Sequence, residues 1–171
     1  YGCFDGVLLM ELVVDERGQV APRLSEVSMT AEQALEDHAL MMHYVVLMLC
    51  AGLVHGDLSE FNVLVDDYGP VIIDLPQAVD AAANNHAAAM LRRDIENMTQ
   101  YYALFAPELL ETRYAEEIWH LYKEGNLTPD TPLCGEFQDA EGSSDVDGVL
   151  AEIQAVLKEE EWRQERQAED V

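Results

Sequence analysis

By type and spacing, Asp57, Asn62 and Asp74 are the residues of this chain best suited to chemistry. His55-Gly56-Asp57 opens the stretch, Asn62 follows five residues after the aspartate, and Asp74 follows twelve later at the end of an apolar run. Two carboxylates and one carboxamide are the minimum set for handling a nucleoside triphosphate and its metal. One aspartate orients or deprotonates a hydroxyl, while the asparagine and the second aspartate hold divalent ions against the phosphates. Ligands that are all oxygen suit magnesium, which keeps several waters and takes few protein groups. The pattern reads as the catalytic half of a phosphotransferase.

Three separated residues need a scaffold that brings them to one spot. Two short strands, 63–65 and 71–73, are joined by Asp66-Asp67-Tyr68-Gly69-Pro70, a hairpin signal. Such a hairpin sets Asn62 before one strand and Asp74 after the other, at the same end of the ribbon, with Asp57 in a loop at that end. Asp66 and Asp67 are turn residues on this reading and carry no chemistry. Ahead of the hairpin, Thr30 caps a helix over 31–51, with Gln33 reaching back in a capping box, Glu32 in the first turn and Gly52 at the end. Ala34, Leu35, Met41, Met42, Val45, Val46, Met48 and Leu49 give that helix a wide buried face. The methionines fill core space. His38 and His43 stand five apart rather than four, so they do not share a face as metal ligands.

The run 7–14 is β-branched and leucine-rich and reads as a buried strand, closed by the turn Asp15-Glu16-Arg17-Gly18. After the hairpin, an alanine-rich segment leads into a helix over about 90–105, with Leu91, Ile95, Met98, Tyr101, Tyr102 and Phe105 as its stripe. Pro107 ends it. A further helical pattern covers 109–124. In the last 36 residues, 12 acids face 3 bases, and Val146, Val149, Leu150, Ile153, Val156 and Leu157 follow helical spacing toward a solvated tail.

The chain has 171 residues, room for one good core. Its net charge is −25, with two lysines, Lys123 and Lys158. That balance argues against a nucleic-acid backbone or an anionic membrane as partner. It is compatible with high solubility, a basic protein partner or a salt-rich cytoplasm. Cys3, Cys50 and Cys134 form no metal-type pairing and read as reduced thiols of a cytoplasmic protein. The opening on Tyr1, within a strand-like region, is expected of a piece of something longer.

His55-Gly56-Asp57-Leu58-Ser59-Glu60-Phe61-Asn62 together with Ile73-Asp74-Leu75-Pro76-Gln77 resembles the catalytic and metal loops of the RIO family of atypical serine/threonine protein kinases. The likeness is greatest to the bacterial RIO-like serine kinases. Met10-Glu11-Leu12-Val13 looks like the family's hinge, Ala21-Pro22-Arg23-Leu24 like the segment after it, and Leu91-Arg92-Arg93-Asp94 like the opening of its next helix, so the resemblance covers about residues 7–105. It implies an α+β fold: a kinase-like C-terminal lobe, mainly helical, with a small β-hairpin carrying both loops. Residues 1–26 would be the end of the small lobe and the hinge, 27–135 the large lobe, and 136–171 an acidic linker and amphipathic helix.

Carried over residue by residue, the resemblance implies Asp57 as the catalytic aspartate and Asn62 and Asp74 as ligands of magnesium, or of manganese in its place. Glu11 carbonyl and Val13 amide would bond the adenine edge of ATP beside Met10 as gatekeeper. Ser59 occupies the position of a phosphate-contacting lysine in ordinary serine/threonine kinases and falls in the nucleotide site. His55 would prop the loop, and Asp94 would tie it to the helix beneath. Gly56 stands where an arginine often meets a phosphorylated activation loop, so that switch is absent on this reading. Leu75-Pro76-Gln77 replaces the usual Phe-Gly, and Ala106-Pro107-Glu108 matches the end of an activation segment only by accident.

No glycine-rich phosphate loop, strand lysine or pairing helix glutamate occurs in these residues, so residues 1–171 alone are expected to bind magnesium-ATP weakly or not at all. The missing N-terminal lobe would be a partner of this one. The activity implied is phosphoryl transfer to protein serine or threonine, autophosphorylation included, or an ATPase switch with phosphate passing through Asp74. A small-molecule kinase of the aminoglycoside or choline type shares His-Gly-Asp, but tends to place an aromatic or glycine after the metal aspartate, where this chain has Leu75. A non-catalytic module recruiting a basic partner usually loses one of the three site residues, and all three are present.

Overall fold

A computed structural model describes residues 12–14 and 17–138 in full, and the backbone of 2–4 and 7–9. Chain contacts divide the molecule between Phe137 and Gln138, and the first unit carries every element below. Met10 and Glu11 lie outside the described residues, as does the helical pattern expected over 144–157.

β1 (Gly2–Phe4) pairs antiparallel with β2 (Val7–Leu9), Phe4 opposite Val7. The single strand expected over 7–14 is therefore corrected. β2 stops at Leu9, and Val14 makes a separate bridge to Val20, with Ala21 N–H donating to Val13 O at 3.0 Å. Gly18, at φ +74°, lies in the turn between Val14 and Val20.

α1 (Ala31–Cys50) begins where Thr30 predicts it: Gln33 N–H donates to Thr30 Oγ1 at 3.2 Å, and the Gln33 side chain returns to the Thr30 amide. Gly52, at φ +81°, ends it. Ala34, His38, Met41, Val45 and Leu49 follow 3.6-residue spacing into the core. Leu35, counted in that face from sequence, lies to the side and is exposed.

His38 is a structural residue, buried with its Nε2 3.0 Å from Thr99 Oγ1, between the rings of Tyr102 and Tyr114. Burial lowers its pKa from 6.5 to about 4. The unfolded chain therefore binds a proton that the fold refuses between these values. The stability this contributes is full above pH 6.5 and is lost as the pH falls toward 4, on the order of 3 kcal/mol. Urea unfolding at pH 7 and pH 4.5 should show that loss in wild type and not in His38→Gln. Equal pH dependence in the two would remove His38 as its source.

α2 (Ala87–Tyr102) crosses α1, burying Leu91, Asp94, Ile95, Met98 and Tyr102. It starts three residues before the predicted Met90. Asp80 Oδ1 accepts from the amides of Ala82 and Ala83, and Asn84 Oδ1 from that of His86. These turns use up the chain as far as residue 86, and the alanines after it join the helix. It ends at Tyr102, not Phe105, where the Tyr102 carbonyl takes the amides of both Phe105 and Ala106 before Pro107.

The helix expected over 109–124 is broken. A 3₁₀ turn spans Pro107–Glu111, and α3 covers only Tyr114–Lys123. Thr112 Oγ1 bonds Leu109 O at 2.6 Å, and the Arg113 amide donates to Gly135 O at 2.7 Å, so neither residue continues the helical ladder. Buried Glu117 answers from α3, accepting the amides of Cys134 and Gly135. Cys50 and Cys134 are free thiols.

The hairpin is β4 (Val63–Asp66) and β5 (Gly69–Ile72), with Asp66 opposite Gly69. Its turn is thus Asp67-Tyr68 alone, shorter than the five residues expected, and Asp66 and Pro70 lie in strands. Proline is tolerated because Val65-Pro70 is a non-hydrogen-bonded pair; the Val65 amide turns outward to Pro22 O at 2.9 Å. A second ladder was not legible: β3 (Leu53–Val54) pairs with β6 (Val79–Asp80). Two residues per strand show no period.

Candidate active site

The hairpin puts Asn62 and Asp74 at one end, as the spacing requires. Ile73 N–H donates to Asn62 O at 3.0 Å, the last rung before Asp74. The loop 55–62 closes on the same end. Asn62 Nδ2 donates to Asp57 O at 2.8 Å and lies 3.4 Å from Asp57 Oδ2, so the catalytic-type aspartate and the asparagine are in direct contact. With its nitrogen committed, Asn62 keeps its amide oxygen for a ligand.

The loop holds its shape because buried groups take its backbone. Asp94, 1% exposed, accepts Gly56 N–H at 2.7 Å on Oδ2 and Leu58 N–H at 3.0 Å on Oδ1. Burial raises its pKa above the ordinary carboxylate range, and those two amides, with His55 and Arg93, work against the rise. Arg93 donates to Gly56 O, and Asn97 Nδ2 to Leu58 O at 3.1 Å. Residues 93, 94 and 97 share one face of α2, and that face grips Gly56 and Leu58, on either side of Asp57. His55, also buried, lies 3.0 Å from Ile73 O through Nε2 and accepts the Asp57 amide on Nδ1 at 3.3 Å. Both bonds together require the neutral ring with its proton on Nε2. One imidazole thereby ties the loop to Ile73, the residue before Asp74.

Gly56 is needed here. Its φ is +81°, and an added Cβ would lie 2.5 Å from Met90 Cε and 3.0 Å from the Gln77 carbonyl oxygen. Met90 can swing aside, but the backbone carbonyl cannot. Gly56→Ala should cost about 1–3 kcal/mol and depress activity, by pushing apart the two loops it separates. Chemical denaturation and turnover measured together check this, and a variant as stable as wild type would show that the segment at Gln77 yields freely.

Asp74 is the one non-glycine among the described residues with positive φ, at φ 67° and ψ 62°. Left-handed backbone is tolerated by aspartate better than by most residues. It turns the chain into the 3₁₀ segment Leu75–Gln77, which returns Gln77 to the site: Gln77 Nε2 donates to Asp57 Oδ2 at 3.3 Å. Sequence reasoning quoted Gln77 and gave it no role, and likewise Arg93; their being polar groups inside the motif was the only signal. Asp74's carboxylate is exposed and has no partner among the described residues. Ser59 lies in the loop, its carbonyl accepting the Asn62 amide at 2.9 Å. Val13, away from this turn, has its carbonyl occupied by Ala21 and no partner for its amide among the described residues.

Among the described residues no three or more His, Cys, Asp or Glu side chains converge as a metal cage. The carboxylate of Asp74 and the amide oxygen of Asn62 are instead a sparse, all-oxygen pair. That suits an ion which arrives with phosphates and water, as magnesium does. No described helix is long and apolar enough to cross a membrane.

A helical body with small antiparallel ribbons, and an aspartate loop and a metal-type loop meeting at one ribbon's end, defines a kinase-like α+β protein. The chain belongs to the RIO domain family, whose profile it matches over residues 1–115. It is 44% identical over 98 residues to the RIO-type serine/threonine-protein kinase Rio1 of Haloferax volcanii, covering 56% of this chain and 32% of the relative. To the serine/threonine-protein kinase RIO1 of Chaetomium thermophilum it is 28% identical over 170 residues, covering 84% and 31%. To the Rio2 kinase of Methanocaldococcus jannaschii it is 52% identical over 52 residues, covering 30% and 19%. The chain thus spans about a third or less of the length of these curated relatives. Each of these relatives is named as a serine/threonine-protein kinase.

Proposed function

We propose that residues 27–135 are the large lobe of a RIO-type kinase, led into by the end of a small lobe and hinge over 1–26, and that the site transfers the γ-phosphoryl group of ATP to a serine or threonine hydroxyl of a protein. The observation that carries this reading is the contact of Asp57 with Asn62, which in turn bonds Ile73, the residue before Asp74. Asp57 takes the hydroxyl proton as the oxygen bonds to the γ-phosphorus, and the bond from that phosphorus to the bridging oxygen of ADP breaks. Asn62 and Asp74 would hold magnesium, or manganese, which when bound neutralises charge developing on the phosphates. Asn62 does so with its oxygen because its nitrogen is held by Asp57. Glu11 carbonyl and Val13 amide serve the adenine edge beside Met10, and Ser59 the phosphates. The net charge of −25 favours a basic protein as partner over nucleic acid or membrane, and the setting is cytoplasmic.

A second reading, the ATPase switch, draws on the carboxylate of Asp74, exposed and without a partner among the described residues, which would itself accept phosphate. Incubating the whole protein with magnesium and γ-labelled ATP separates the two. Acid-stable label on serine, lost in Asp57→Asn, supports the kinase. Hydroxylamine-labile label at Asp74 supports the switch. Absence of both label and ATP turnover overturns both.

A further inference from the structure

We infer that Gln77 is a positioning residue that fixes which oxygen of Asp57 meets the substrate hydroxyl. The inference rests on the reading of Asp57 just given. Asp57 Oδ2 faces two carboxamides at once, Gln77 Nε2 at 3.3 Å and Asn62 Nδ2 at 3.4 Å, whereas Oδ1 has no partner among the described residues. An oxygen already accepting two N–H groups has little lone-pair density left for a third proton. Oδ1 is therefore the atom that receives the hydroxyl, and the two amides keep the carboxylate from rotating.

The two donors come from different places. Asn62 belongs to the aspartate's own loop, so its contact is local, five residues along. Gln77 comes from the far side of the metal-type turn, twenty residues on. It reaches Asp57 because Asp74 takes left-handed backbone, Pro76 stiffens the 3₁₀ turn, and Gly56 presents no side chain to the Gln77 carbonyl. Gln77 thereby makes the carboxylate of one loop depend on the conformation of the other. The other titratable and charged side chains around Asp57 do not replace it. His55 contacts the Asp57 amide, and Asp94 and Arg93 contact the backbone of Gly56 and Leu58.

The test is steady-state phosphoryl transfer by the whole protein carrying Gln77→Ala or Gln77→Glu. The alanine variant should lower kcat about ten-fold, with KM for ATP and Tm close to wild type, since the loss is one of alignment. The glutamate variant, equal in size, should fall further, because it sets an oxygen against Oδ2. Independently of activity, the Gln77 side-chain amide resonance should move in Asp57→Ala while that of exposed Gln100 stays. Wild-type kcat in both Gln77 variants, or a kcat loss that only follows Tm or KM, overturns the inference. An unmoved Gln77 resonance overturns it as well. Wild type without phosphoryl transfer, or an active Asp57→Asn, overturns the underlying reading and this inference with it, and is told apart by those two controls.

Discussion

Asp57→Asn is expected to lower phosphoryl transfer by the whole protein about 1,000-fold while leaving the fold intact. The substitution keeps size and shape, and the groups that hold the loop do not act on the Asp57 side chain. Asp94 takes the amides on either side of it, at Gly56 and Leu58, and His55 takes its backbone N–H. Stability should change little. The chemistry should change completely, because an asparagine has two ways to sit and neither works. With its nitrogen toward Asn62 and Gln77, donors face donors at the position of Oδ2. With its oxygen there, an NH₂ group occupies the Oδ1 position and cannot take a proton. Single-turnover transfer from γ-labelled ATP, with Tm measured alongside, decides the matter. A variant retaining a tenth of wild-type turnover would remove Asp57 from the base role and leave it a structural carboxylate.

Asp94→Ala should be the costliest change to stability outside the apolar core, at about 3–5 kcal/mol. Each of the two loop amides it accepts is buried and has no other bond among the described residues, so truncation leaves two unsatisfied donors. Arg93, bonded to Gly56 O, would then stand beside an empty site without its neighbouring carboxylate. Set against a total stability of about 5–15 kcal/mol for an ordinary domain, this is a large share. Asp94→Asn should cost roughly half as much, since its oxygen still serves one amide while its NH₂ opposes the other. Urea titrations of the two variants give the ranking. A loss under about 1 kcal/mol for Asp94→Ala would mean that Arg93 and Asn97 hold the loop by themselves. Activity should fall with stability in both variants, in contrast to Asp57→Asn, where it falls alone.

These two aspartates mark where sequence reading works and where it stops. The capping box at Thr30, the buried stripe of α1 and the common end of the hairpin are local consequences of residue order, and each formed as its spacing demanded. The boundaries of α2 and α3 depended on what distant groups did with a few backbone amides. Gly135 O takes the Arg113 amide, which broke a helix that periodicity drew as continuous. The β3–β6 ladder is four residues in all, too short to leave a pattern. His38 falls on the core stripe by spacing, but its partner Thr99 is sixty-one residues away, and nothing local foretells that pairing.

Residue type and order along the chain determined the chemical kit: two carboxylates and a carboxamide on a loop and a ribbon, and a net charge of −25. Those properties need no long-range contact, because they follow from side-chain chemistry and from hairpin geometry over a dozen residues. Tertiary structure alone decided how the kit is held. Three residues of α2 grip the loop from below, one buried imidazole joins it to the residue before Asp74, and Gln77 crosses from the second loop to one oxygen of Asp57. Each of these is a hydrogen bond between groups 18 to 39 residues apart. Such partners are selected by which buried donors and acceptors the packed core leaves facing each other, and that is settled only when the helices have docked.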